Sequence, residues 1–106
     1  MNIPKKLKIG GMIWEVEQSN DTTNEGNCFG STHPITQKFF LDPKIKQQKK
    51  EQTLLHEILH AIWWTNGMRS RKELNDHEEY IIDSLSQGLY QVLKDNNLIS
   101  KRNAKH

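Results

Sequence analysis

The sequence predicts an α+β domain in which a small antiparallel or mixed sheet packs on two long helices. Three observations carry that expectation. Apolar and polar residues alternate through Leu7, Ile9, Ile13 and Val16, which is strand periodicity. After Asp42-Pro43 the spacing changes to three and four residues, which is helical. Strands gathered before helices suit a sheet with its helices segregated to one face rather than βαβ units.

The elements follow in order. Gly10-Gly11 sits between two alternating runs and predicts a β-hairpin. Residues 19–27 are polar and predict a loop. Residues 28–33 predict a short strand ended by Pro34, and residues 36–41 the next, with Lys38 to Leu41 as a candidate sheet edge. Gly30 reads as a bulge, since no glycine-rich phosphate motif surrounds it. Asp42-Pro43 closes the strand region. A first helix is expected over 47–64, stopped by Asn66-Gly67. A basic connection leads to a second helix that starts at Leu74 or His77 and runs to Asn96, with Ile81, Ile82, Leu85, Leu89, Val92 and Leu93 at helical spacing. Residues 97–106 read as a frayed polar tail.

Bulk properties set bounds. A chain of 106 residues predicts one domain, 1–106, and 34% hydrophobic content predicts a small core. A net charge of +2 does not argue for nucleic acid by itself. Lys44, Lys46, Lys49 and Lys50 nevertheless cluster, as do Lys101, Arg102 and Lys105, and either group could meet phosphates. The single cysteine, Cys28, rules out an intramolecular disulfide and fits a reducing compartment. No secretory leader is legible and no stretch is apolar enough to span a bilayer, so a cytoplasmic protein without membrane contact is expected. Trp63 and Trp64 read as core cover rather than cleft walls.

The chemistry lies in His56-Glu57-Ile58-Leu59-His60, within the expected first helix. Residues four apart on a helix stack on one face, so both imidazoles can address one ion. Zinc accepts imidazole nitrogen at roughly 2.0–2.1 Å and tolerates an open position for water. Glu57 is rotated about 100° from His56, too far to join the ligand stack but near enough to take a proton from that water. A lone histidine on an apolar helix is more often a core residue. Two at this spacing around a glutamate point instead to a metal, because random placement gives such a pentapeptide in roughly one or two chains in a hundred.

A catalytic zinc usually has three protein ligands. Glu78, Glu79 and Asp83, at the start of the second helix, are the candidates for the third, and spacing alone leaves all three open. Glu79, Asp83 and Ser86 share one helical face, and Asp83 suits an outer role, hydrogen-bonding a metal-bound histidine. A competing reading makes Asp76 and Glu79 a capping box.

With these residues in view, the chain resembles the gluzincin-type zincin metallopeptidases. The likeness rests on residues 56–60 and on Glu79-Tyr80-Ile81-Ile82-Asp83-Ser84-Leu85-Ser86-Gln87-Gly88-Leu89. It is similar in particular to single-domain minigluzincins and to small metallopeptidase-like proteins of phages and prophages, which implies a bacterium or phage-infected host. The resemblance spans nearly the full length but is specific only across the two helices. It implies a minimal zincin-like domain, zinc held by His56, His60 and Glu79, Glu57 as general base and acid, Asp83 as support, and a peptide or protein substrate. It also implies latency, with residues 98–106 filling the cleft. Larger gluzincins add a His or Tyr that steadies the oxyanion; Tyr80, Tyr90, His33 and His77 are the candidates here.

The expectation is therefore a zinc-dependent metallopeptidase. The alternative is a catalytically silent, metal-containing module that binds protein or nucleic acid through Lys44, Lys46, Lys49 and Lys50. A purely structural metal ranks last, because such sites fill all four positions with protein ligands.

Overall fold

In the computed structural model, residues 2–19 and 29–99 are described. Four strands and three helices follow in the order β1 (Lys6–Ile9), β2 (Met12–Gln18), β3 (Gly30–His33), β4 (Lys38–Leu41), α1 (Gln47–Thr65), α2 (Lys72–Asn75) and α3 (Glu78–Asp95). This is an α+β fold. The sheet is mixed, with strand order β1-β2-β4-β3.

The hairpin forms where expected. Gly10 and Gly11 have φ of 61° and 81°, the left-handed pair that a tight two-residue turn demands. β1 and β2 pair antiparallel, with Ile9 opposite Met12. β2 pairs parallel with β4, placing Val16 opposite Phe39. β3 then pairs antiparallel with β4, placing Gly30 opposite Leu41.

This order corrects the assignment of Lys38 to Leu41 as an edge. β4 is interior and β3 is the edge. The cause is burial, since Phe39 and Leu41 are fully buried while β3 is Gly-Ser-Thr-His, short and polar. Gly30 is likewise not a bulge, because its pairing is regular. A Cβ there would lie 2.7 Å from Thr53 Cγ2 and 2.9 Å from the Phe40 carbonyl oxygen, so the glycine lets β3 lie close against α1.

One sheet face packs on α1. Ile9, Trp14, Val16, Phe39 and Leu41 meet Leu54 and Ala61 to make the core. Trp14 and Phe39 stack with ring centroids 4.9 Å apart. α3 covers another side of α1, so α1 is the middle layer of three. As an outer layer, α3 buries only part of its apolar stripe: Ile82 is enclosed, while Leu85, Leu89 and Val92 stay exposed. Trp63 is buried and Trp64 half-buried beside the hairpin turn, and neither lines the cleft described below.

Both long helices end as local chemistry dictates. Gly67 takes φ 72° just past α1 and donates its N–H to the Trp64 carbonyl at 3.1 Å. After α3, Asn97 takes φ 59°, its N–H reaches Lys94 O at 3.2 Å, and Leu98 N–H reaches Leu93 O at 2.8 Å. This Schellman closure makes Asn97 and Leu98 part of the helix end rather than the start of a frayed tail. The Asp76–Glu79 capping box does not form. Asp76 ends α2, His77 precedes α3 without a side-chain cap, and Glu79 points elsewhere. Among the described residues no helix is long and apolar enough to cross a membrane.

Candidate metal centre

α1 presents His56 and His60 one turn apart, and antiparallel α3 brings Glu78, Glu79, Asp83 and Ser86 against them. His56 Nε2 and His60 Nε2 lie 3.2 Å apart. The Glu79 carboxylate reaches both, Oε2 at 3.2 Å from His56 Nε2 and Oε1 at 3.0 Å from His60 Nε2. His56, His60 and Glu79 thus form a group able to hold a metal ion.

The other ring nitrogens also face acidic side chains. His60 Nδ1 is 2.6 Å from Glu78 Oε2. His56 Nδ1 faces Asp83 Oδ1 at 3.4 Å, with Ser86 Oγ at 3.5 Å. Carboxylates accept only, so a cation held between the two Nε2 atoms and Glu79 would use the Nε2 lone pairs and leave each N–H on Nδ1, where Glu78 and Asp83 can accept it. Two imidazole nitrogens and a carboxylate therefore converge closely enough to share one cation. The spacing suits one. Tetrahedral bonds of about 2.0–2.1 Å put neighbouring ligand atoms about 3.3 Å apart. Imidazole with carboxylate suits zinc and also other divalent transition ions.

The adjacent glutamates divide the work by exposure. The Glu79 side chain is 72% exposed and opens to the cleft, while that of Glu78 is 9% exposed and lies behind His60. Arg69, from the 3₁₀ turn Met68–Ser70, secures Glu78 by donating from Nε to Oε1 at 3.2 Å and from Nη2 to Oε2 at 3.4 Å. The three candidates left open by spacing are therefore separated: Glu79 faces both ligand nitrogens, Glu78 orients His60, and Asp83 supports His56.

Glu57 lies beside this group and is 8% exposed. Burial pushes its carboxyl up from the ordinary value, against the opposing pull of the Thr32 hydrogen bond and the nearby imidazoles. Thr32 Oγ1 is 2.5 Å from Glu57 Oε1 and 3.1 Å from the Glu57 carbonyl oxygen, so β3 fixes the rotamer of this side chain. A cleft of about 410 Å³ opens over the site, walled by Gly30, Thr53, His56, Glu57, Glu79, Asp83 and Ser86, and extended by Phe29, Lys49, Gln52 and Gln87.

Thr32 and Arg69 were not singled out from the sequence. Thr32 comes from a four-residue strand 25 positions away, with no local signal. Arg69 left a faint one, a basic connection running into an acidic helix start. The four oxyanion candidates are not brought to the cleft. Tyr90 donates to Glu51 at 2.7 Å, His33 packs edge-on against Phe40, Tyr80 is exposed, and His77 precedes α3. Of the basic cluster, Lys50 donates to Gln18 at 2.7 Å and Lys49 faces the Phe29 ring. Cys28, the tail cluster Lys101, Arg102 and Lys105, and the cleft-filling segment beyond Ile99 lie outside the described residues.

No protein-family model, curated protein or solved structure matches this chain.

Proposed function

We propose that this protein is a metal-dependent peptidase of the gluzincin type, with zinc as the ion. The observation that supports this reading is the convergence of His56 Nε2, His60 Nε2 and Glu79 within 3.0–3.2 Å of one another, with the buried Glu57 alongside. Three protein ligands leave a position for solvent, as hydrolytic rather than structural sites require. When bound, the ion supplies Lewis acidity and, in the case of zinc, brings the pKa of a coordinated water from 15.7 to about 7.

The remaining work falls to the chain. Glu57 takes a proton from the attacking water and returns it to the leaving amine. A carboxyl raised by burial suits both halves of that exchange, since proton transfer is most efficient when donor and acceptor pKa values lie near the working pH. Thr32 holds Glu57 in place and Glu78 and Asp83 hold the imidazoles, so little reorganisation is needed during reaction. The edge of β3 that no described strand pairs runs beside Glu57 through Thr32, and an extended substrate can add to it as a further strand.

The test is Glu57→Gln in zinc-loaded protein. Elemental analysis should find zinc at the wild-type level, while peptide hydrolysis falls at least about a hundredfold, the scale of a lost general base. Undiminished cleavage by that variant would overturn the proposal.

A further inference from the structure

The cleft continues past the ligand group toward the first turn of α1, where its character changes. Near the ligands its charged walls are Glu57, Glu79 and Asp83, all carboxylates. At the other end stands Lys49, the one Lys or Arg among the described residues lining the cleft. Lys49, Thr53, His56 and His60 fall at i, i+4, i+7 and i+11, a single stripe of α1. The lysine therefore shares the face that carries the imidazoles.

Its surroundings suit an anion. Lys49 Nζ lies 4.9 Å from the centre of the Phe29 ring, a cation–π contact that steadies the ammonium without consuming it as a carboxylate would. Among the described residues no acidic group lies within ion-pair distance of it. The first turn of α1 has no acidic residue and no side-chain cap, so its N–H groups add positive potential. Gln52, one turn nearer the ligands, and Gln87, from α3, also line this cleft. Their amides can serve as donors.

The length selects the ligand. Lys49 precedes His56 by seven residues, about 10.5 Å along the helix. An extended peptide advances about 3.3–3.6 Å per residue. We infer that Lys49 receives a carboxylate of the bound peptide, about three residues from the bond held at the metal centre, and so sets a preference for acidic ligands. The carboxylate is either the peptide's C-terminus or a Glu or Asp side chain. This inference rests on the peptide-binding reading of the cleft.

The test measures binding apart from turnover. Fluorescence anisotropy on zinc-loaded Glu57→Gln protein compares labelled peptides that differ in one carboxylate. One pair has a free or amidated C-terminus; the other has Glu or Gln about three residues from the centre. One carboxylate member should bind about two- to fivefold tighter than its neutral partner, as an ion pair to an exposed lysine does. Adding Lys49→Gln should erase that preference and Lys49→Arg should retain it. Which pair responds identifies the source of the carboxylate. Equal binding of both members in both pairs, or a preference that survives Lys49→Gln, would overturn the inference. Parallel turnover assays on the Glu57 protein separate the two claims. Hydrolysis without a carboxylate preference removes only the role of Lys49, and a Lys49-dependent preference without hydrolysis removes only the peptidase reading. Failure of every peptide to bind removes both.

Discussion

Removing the Glu78 carboxylate probes the layer behind the candidate metal centre, where His60 is held most closely. Glu78 does not face the ligand point. It accepts from His60 Nδ1 at 2.6 Å and is clamped by Arg69. Deleting it leaves His60 Nε2 available but frees the ring to rotate and removes the acceptor that holds its Nδ1. Outer partners of this kind are worth about 10–100-fold in metal affinity, or about 1.4–2.7 kcal/mol. The contact is short and charge-assisted, and the side chain is only 9% exposed, so solvent does little to weaken it. Glu78→Ala should therefore fall near the upper figure, about a hundredfold weaker for zinc. Glu78→Gln keeps the shape and an acceptor, and should lose about tenfold. Glu79→Ala removes the carboxylate that faces both Nε2 atoms and should cost more than either. Zinc competition against a chromophoric chelator reads all three, with Glu73→Ala as an exposed acidic control. If Glu78→Ala binds zinc within about twofold of the unaltered protein, the carboxylate does not orient His60 and the reasoning fails.

Two further perturbations follow from the packing. Gly30→Ala would drive a Cβ to 2.7 Å from Thr53 Cγ2 and 2.9 Å from the Phe40 carbonyl oxygen, and should cost about 1–3 kcal/mol in urea unfolding with little change in slope. Adding Thr53→Ala should recover only part of the loss, because the Phe40 backbone cannot withdraw. Tyr90 donates to Glu51, and burial together with that bond pushes its phenol up to about 12, which ultraviolet titration of tyrosinate should show. The neutral phenol is the favoured form, so its contribution is present below the ordinary value of 10.0 and fades as pH rises through about 12. For Glu51, burial pushes upward, but the Tyr90 bond and other contacts outweigh it and hold the carboxyl below 4.5. Its contribution is present above that value and is lost as pH falls through the lowered one. Tyr90→Phe should thus destabilise by about 1.5 kcal/mol near neutrality, with the difference shrinking in acid as Glu51 protonates.

What the sequence determined by itself was whatever short-range geometry enforces. His56 and His60 share a face because a helix repeats every 3.6 residues, whatever packs on it. The Gly10-Gly11 turn, the stop at Gly67 and the alternating strands are equally local, because backbone sterics and side-chain period act over a few residues. Only the tertiary structure set which of Glu78, Glu79 and Asp83 faces both Nε2 atoms. Neighbouring helical residues differ by about 100° in direction, so the outcome depends on the rotation of α3 against α1, which periodicity does not record. The same holds for Thr32 beside Glu57, for β4 inside the sheet with β3 at its edge, and for Gly30 against Thr53. Each is a meeting of segments far apart in the chain, fixed by which surfaces bury most apolar area together, and no residue carries that information alone.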